Sequence, residues 1–535
     1  MLVLCITTVK ASMTTDSRLA TLPPLFAELQ KILLGDISCA QDDLTTWSVD
    51  QSEITVKPRA VVFPKSVRDI KHVLAFAKEH GMPISVSGNN QGTGGGALSS
   101  GIVICMHRYL NSVSSVDIHN HTVTAEAGAL VEHIRERLHG WGMDIPVFTN
   151  KEHTCTIGGA VSTNISTAAT ATHGDVGSWV KSITVLLDNG EEHHIADGIA
   201  PSGRLLEIYM SLFPLLQHHT KAIQKFQEEH IDTTSGFNVW NQAIGSRQLM
   251  DIFIGSEGTL GILTSITLRT SPRKPMSISC AAYIDANTIE AATKLYKQHH
   301  TDELFLVDTS LVSYADPTTV TALAPIMEEK EANRYILVGT QIGTNEHTIK
   351  LLQKELVHSL REHTILSHPC TELELHSLSR VASHARDILA LYGQNYLTPI
   401  MTYESCTIPE ERISAYIQSI ETYFKAEGII GSIQGYPGSG HVSVIFLHDR
   451  QGDATGVKLH TIQDYIHSCI TQHKGSVTGG NGDGVTRTDY AKLHFSQPLQ
   501  TLFGELRRIC DPHALFAPAK KGYSTSTAKY QLRTH

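Results

Sequence analysis

The stretch "SGNNQGTGGGALSSG", Ser87–Gly101, constrains this chain more than any other. Six of its fifteen residues are glycine. It follows "PISV" and precedes "GIVICM", both apolar and β-branched enough to read as strands. "GTGGGA", Gly92–Ala97, formally fits the G-x-G-x-x-A dinucleotide fingerprint. That fingerprint works only where the loop opens a helix whose N-terminus faces a pyrophosphate. Here a strand follows, and glycine is a poor helix former. The segment is therefore not a Rossmann turn, and no G-x-x-x-x-G-K-[ST] loop occurs elsewhere. Two readings remain: a flexible surface turn, or a nest. In a nest, backbone N–H groups freed by glycine curl around an anion. The ordering entropy of so long a glycine loop between apolar strands favours the nest.

The chain has 535 residues, enough for about two to four domains. Its 41% hydrophobic and 18% charged content is ordinary for a globular protein. The net charge is −10 and no long basic run occurs, which argues against a nucleic-acid partner. No stretch approaches the roughly 20 apolar residues of a transmembrane helix. The apolar start "MLVLCITTVKAS" lacks a basic n-region, so it reads as an extension or as sequence upstream of a start at Met13. A peripheral membrane contact stays open beside a cytoplasmic location. The nine cysteines are scattered singly, with no C-x-x-C pair, which suits reduced thiols. The thirty histidines include no H-E-x-x-H motif.

Along the chain, one helix is expected near Leu25–Leu34. Ala60–Phe63 reads as a buried strand. Ser66 with Asp69 suggests a capping box. Ile70, Val73, Leu74 and Ala77 then mark one helix face. Val113–Ile118 and Thr122–Ala125 form a hairpin, and "SITVLLDNGEEHHI" forms another around Asp188-Asn189-Gly190. "GILTSITLR" alternates as a half-buried strand does. "TSPRKP" marks a boundary. Beyond it, "SISCAAY", "RYILVGTQI", "GIIGSIQ" and "HVSVIFL" alternate with helices near Thr288–His299, Glu346–His358, Pro409–Glu427 and Val457–Gln472. This pattern predicts an antiparallel sheet with helices on one face. A last helix spans about Pro498–Cys510.

Several segments together resemble the vanillyl-alcohol oxidase/p-cresol methylhydroxylase superfamily. They are "SVDQSEITVKPRAVVFPKS" running on through the glycine loop, "TCTIGGAVSTNIS" (Thr154–Ser166) and "FIGSEGTLGILTSITLRTSP" (Phe253–Pro272). "GGNGDGVTR" and "LRRICDPHALFAPAKKG" look like the ends of its D-lactate and glycolate dehydrogenase branch. The resemblance covers about Thr46 to Lys521. It implies an α+β fold: a two-part FAD-binding domain of the p-cresol methylhydroxylase type, plus a ferredoxin-like antiparallel cap. The expected units are a leader and helix (1–53), the FAD domain (54–272), the cap or substrate domain (273–496) and a segment returning to the FAD domain (497–535).

The same resemblance implies the cofactor contacts. Ser87, Gly88, Asn89, Asn90, Gln91, Gly92 and Thr93 would wrap the FAD pyrophosphate. Thr156, Gly158 and Gly159 would lie along the flavin and phosphates. Glu257, Gly261 and Ile262 would lie near the adenine and ribose. Some relatives attach FAD through a histidine in the glycine loop. Ser87–Gly96 contains none, so non-covalent FAD is expected.

The active-site half departs from the branch. Its G-H-x-G-D-G-N-x-H segment reads "GYPGSGHVS" here, which puts Tyr436 and Ser443 at the two histidine positions. Its E-H-G segment reads "GGNGDG", which puts Gly480 and Asn481 at the metal-side glutamate and the basic histidine. An arginine common in the family appears as Gly177. No metal site is therefore expected. An amide cannot take a proton from a hydroxyl. His441 and His173 are the nearest candidate bases, with Tyr436, Tyr403 and Tyr490 behind them. Each is otherwise a hydrogen-bonded wall residue. Arg380 sits where the family places an arginine for a substrate carboxylate, or it is a helix-surface residue. The implied activity is FAD-dependent oxidation of a CH–OH group by hydride transfer to flavin N5. A 2-hydroxy acid such as D-lactate or glycolate is the default substrate. A sugar or aldonolactone-type alcohol is the alternative, as is a flavin-binding protein without turnover. The sequence does not name the electron acceptor.

Overall fold

Strand periodicity is the simplest entry to the architecture. In Met276–Ile284, Cys280, Ala282 and Ile284 point into one apolar cluster, while Ala281 and Tyr283 point into another. A strand alternates its side chains between faces, so both faces of this sheet are covered. The computed structural model describes residues 22–149, 152, 154–229, 234–241, 246–328, 334–393, 396–449, 451–453, 456–518, 520–521 and 531–532. The leader before residue 22, with both candidate start methionines, lies outside the described residues.

The sheet containing Met276–Ile284 has seven strands, all paired antiparallel. Its order is 367–369, 276–284, 335–343, 303–308, 431–436, 441–449 and 397–407. Four long helices, Ile289–Gln298, Glu346–Glu362, Ile413–Glu427 and Val457–Gln472, pack on one face. The opposite face is covered too. Helices Pro317–Glu328, Glu372–Ser383 and Ala385–Tyr392 bury Leu323, Leu378, Val381, Ile388 and Leu389 there. Ala168, from the N-terminal half, joins that second cluster.

The N-terminal half holds two smaller sheets around one core. In the first, Asp36–Ser38 pairs antiparallel with Ala60–Phe63, which runs parallel to Ile102–Cys105 and then Ile84–Ser87. The glycine loop joins the last two strands, and a strand follows it, as expected. The second sheet is five-stranded and antiparallel, ordered 192–196, 180–186, 262–269, 122–126 and 113–117. It contains both expected hairpins.

Ser66 caps the Val67–Glu79 helix by accepting from the Asp69 N–H. The Asp69 side chain does something else. It accepts from the backbone N–H groups of Leu34, Gly35 and Lys65 at 2.8–2.9 Å, and so fixes the incoming chain. The 27-residue helix Gly203–Glu229, unread in the sequence, packs against helix Gln497–Cys510. Leu499, Leu502, Phe503 and Leu506 of the latter join the N-terminal core. The chain therefore leaves the seven-stranded sheet and returns to the half where it began.

Candidate cofactor cleft and active site

The glycine loop forms one wall of a cleft holding about 1130 Å³ of empty space, part of it continuous with solvent. Ser87, Gly88, Asn89, Asn90, Gln91, Gly92 and Thr93 line it, and so do Thr156, Gly158, Gly159, Glu257, Gly261 and Ile262. The residues of three separate sequence segments thus meet around one space. Asn90 has φ 55°, and its side chain donates to the Val49 carbonyl at 2.5 Å. A Cβ on Gly88 would overlap the Thr156 hydroxyl. That hydroxyl caps helix Ile157–Thr163 by accepting from Gly159 N at 3.3 Å.

The N–H groups of Asn89, Asn90, Gln91, Gly92 and Thr93 donate to no described protein acceptor. Backbone donors without partners are rare unless water or a ligand completes them. A run of five beside a cleft suits an anion such as a pyrophosphate. The lining is otherwise largely apolar, with Val86, Met106, Ile165 and Leu263. Such a space fits a dinucleotide that carries a planar ring system.

A buried ionic cluster closes the cleft from behind. Glu257 is held at φ 56°, between Gly255 at 76° and Gly258 at 70°. A non-glycine residue there costs of order 1–3 kcal/mol. Its carboxylate accepts from Asp483 N at 2.6 Å and Gly484 N at 2.8 Å. Lys521 Nζ stands 3.1 Å from the same carboxylate and 3.4 Å from Asp483. Glu257 therefore lines the cleft but spends its charge on the 482–484 loop, not on a ribose. Lys520 donates to the carbonyls of Gly96 and Glu257, and burial pushes it down to about 8. Neither lysine was singled out in the sequence. Their pairing in "AKKG" was the available signal.

The candidate catalytic residues separate. Asn481 lines the cleft. His441, Tyr436 and Arg380 are not among its lining residues. The His441 Nε2 is buried without a hydrogen-bond partner, and a Cβ on Gly479 or Gly480 would come within 2.7 Å of it. The imidazole thus occupies the space that a side chain at Gly480 would need. Burial pushes His441 down to about 4, against the backbone of Gly479 and Ser439. Tyr436 is half-buried, packed against the second cluster of the seven-stranded sheet. Burial, followed by the charges of Glu152 and Glu404, holds its hydroxyl well above the usual range.

Arg380 stands on the exposed surface of helix Glu372–Ser383 and pairs with Asp316 at 3.2 Å. That corrects its assignment to a substrate carboxylate, since the guanidinium already has an acceptor outside the cleft. His173 faces Asp302 at 3.6 Å. Tyr403 donates to the Gln463 carbonyl and Tyr490 to Asp464. Gly177 leaves no room for an arginine, because a Cβ there would come within 2.7 Å of Asn164 Oδ1. Among the described residues, no group of three or more His, Cys, Asp or Glu is placed to hold a metal ion.

The residue that sequence reasoning missed is Glu404, on strand Leu397–Thr407. Asn481 Nδ2 donates to its two oxygens at 2.9 and 2.8 Å, and Thr93 Oγ1 donates at 3.0 Å. Burial raises its carboxyl, opposed by Arg487, Asn481 and Thr93. A lone glutamate in "TYESCT" carries no motif, so nothing in the sequence marks it.

The family described as "FAD binding domain" matches residues 58–196, and "FAD linked oxidases, C-terminal domain" matches residues 278–521. The chain belongs to the FAD-linked oxidases. Its cofactor is FAD, which the cleft's free N–H groups and apolar lining fit. A D-2-hydroxyglutarate dehydrogenase of Pantoea ananatis is 23% identical over 520 residues, covering 91% of this chain and 50% of the relative. The chain therefore spans about half the length of that protein. The mitochondrial D-2-hydroxyglutarate dehydrogenase of Danio rerio is 22% identical, covering 85% of this chain and 77% of the relative. The structure of p-cresol methylhydroxylase with substrate bound superposes with a TM-score of 0.65 at 13% identity, covering 96% of this chain and 98% of that one. Both parts of the expected fold, the FAD domain and the antiparallel sheet domain, are present. No helix among the described residues is long and apolar enough to cross a membrane.

Proposed function

We propose that this protein oxidises the CH–OH group of a 2-hydroxy acid, such as D-lactate or glycolate, with FAD as the immediate oxidant. The observation that carries the reading is the glycine-loop wall, whose unpartnered N–H groups lie in the same cleft as Asn481. The dehydrogenases found among the relatives act, by name, on a 2-hydroxy acid. In this reading Ser87–Thr93 hold the pyrophosphate, and Thr156, Gly158 and Gly159 lie along the flavin. Gly261 and Ile262 lie toward the adenine. Bound FAD supplies a two-electron acceptor for hydride. The protein's part is to hold the hydroxyl, exclude water and take the proton.

The described lining contains no histidine, and the thiol of Cys155 in it is pushed up to about 12 by burial and by Glu152. A thiol so firmly protonated is a poor nucleophile, which supports non-covalent FAD. The described lining also contains no lysine or arginine. That favours, as a second reading, a neutral sugar or aldonolactone-type alcohol, which needs no carboxylate partner.

The test is anaerobic reduction of the bound flavin, followed by its visible absorbance. D-hydroxy acids and sugar alcohols are added in turn. Bleaching by a hydroxy acid supports the first reading, and bleaching by a sugar alcohol alone supports the second. A yellow protein that none of them bleaches would overturn both and leave a flavin-binding protein without turnover. The electron acceptor is then found by reoxidising the bleached protein with oxygen, quinones or an electron-transfer protein.

A further inference from the structure

Beside the cleft, on strand Leu397–Thr407, stands a carboxylate that no motif announces and that two cleft-lining residues hold. Alcohol oxidation removes a hydride from carbon and a proton from oxygen. Bound FAD would supply the hydride acceptor, so a group of the protein must take the proton. His441 faces Gly479 and Gly480, not the cleft. Asn481 is an amide. Of the carboxylates near the cleft, Glu257 is occupied by two backbone N–H groups and Lys521.

Glu404 differs. It is held by two residues, Thr93 and Asn481, that both line the cleft, and it keeps some exposed surface. Its Oε2 accepts from both Thr93 and Asn481, but its Oε1 accepts only from Asn481. A carboxylate oxygen has two lone pairs, so Oε1 keeps one. We propose that Glu404 is the catalytic base: its Oε1 accepts the hydroxyl proton of the substrate while Thr93 and Asn481 hold the carboxylate in place.

The step balances. The O–H bond breaks and an O–H bond forms on Glu404. The C–H bond breaks with its electron pair, which reduces the flavin. The carbinol becomes a carbonyl. Burial, with the deprotonated form favoured by Arg487, Asn481 and Thr93, sets the carboxyl above its ordinary range. The titratable groups facing it are Arg487 at the start of helix Thr488–His494, Tyr436 from the strand two places along the sheet and Cys406 from its own strand. Of these, Tyr436 and Cys406 are held protonated by burial, so only Arg487 carries charge beside it.

This inference rests on the proposed oxidation. The test uses full-length protein loaded with FAD, in wild-type, Glu404→Gln and Glu404→Asp forms. FAD content is read from visible absorbance, and reduction by dithionite checks that the flavin is competent. Reduction by the bleaching donor is followed by stopped flow from about pH 5 to about pH 9. Loss of a general base costs roughly 100-fold or more. Glu404→Gln should keep its FAD and its dithionite reduction and lose donor reduction by that factor. Glu404→Asp should recover part of it. The wild-type rate should rise with pH through one ionisation and then level off, and Glu404→Gln should lack that rise. Infrared difference spectra of substrate-free holoprotein across the same range should show a carboxyl band that Glu404→Gln lacks. Donor reduction within about fivefold of wild type in Glu404→Gln would overturn the base and leave the oxidation standing. A wild type that no donor reduces would overturn both. If Glu404→Gln fails to retain FAD, a wild-type rate independent of pH overturns the base by itself.

Discussion

Gly480 lies so close to His441 that a Cβ on the glycine would stand 2.7 Å from the imidazole Nε2. The same Cβ would lie 2.8 Å from Ser166 Cβ and 3.0 Å from Ser166 N. The imidazole therefore fills the space that a side chain at position 480 would need. Gly480→Ala should cost about 1–3 kcal/mol, the usual range for overpacking. Adding His441→Ala should return part of that. Urea unfolding of the two single variants and the double variant measures the coupling.

His441 also gives the fold a pH dependence. Burial lowers it from an ordinary 6.5 to about 4, so the native protein holds it neutral where an unfolded chain would protonate it. Its contribution is complete above about pH 6.5 and is lost as the pH falls toward about 4. The full loss is about 3 kcal/mol. His441→Gln should flatten that part of the curve. Thermal melts of both proteins across this range provide the comparison, and equal slopes would contradict it.

Lys521 is the cation between Glu257 and Asp483. It also donates to the carbonyls of Thr234 and Gly236. Lys521→Met leaves two buried carboxylates facing each other, which should cost about 3–5 kcal/mol. Burial alone would raise the Asp483 carboxyl, but Lys521, Ser235 and Gly236 together hold it below its ordinary range. That stabilisation is present above the ordinary carboxylate range and disappears as pH falls. In Lys521→Met the cost should therefore be largest near neutral pH and shrink as the pH falls and the carboxylates protonate, which urea unfolding at several pH values would show.

Gly88 lets the loop approach Thr156. Gly88→Ala must push the Thr156 hydroxyl away or shift the loop, so FAD content should fall. Ligand at 100 times its Kd adds about 2.7 kcal/mol to a fold that binds it. The variant should show a smaller rise in melting temperature on adding FAD. Comparison with its own apoprotein separates weaker FAD binding from a general loss of stability.

The sequence made the first half legible because its elements are short and strongly punctuated. Ser66, Gly81 and the Asn189-Gly190 turn each sit at an element end in the structure. Helix Gly203–Glu229 escaped notice although Leu205, Ile208, Leu212, Leu216 and Ile223 are spaced as a buried helix face, because Pro214 interrupts it. At the site, the glycine loop was readable because closely approaching backbone demands glycine. Glu404 was not. It is 311 residues from Thr93 in sequence, and only folding brings the two together. His441 misled for the converse reason. It sits beside the altered motif, but strand pairing with Tyr436 and Thr407 turns it toward the 479–480 loop.

The contact between Lys520 and Gly96 joins residues 424 positions apart. A ribosome adding about 5–20 residues per second would expose the glycine loop roughly 20–80 s before its lysine exists. During that interval the strands flanking the loop can pair, while the Gly96 carbonyl still waits for the ammonium that donates to it in the folded protein.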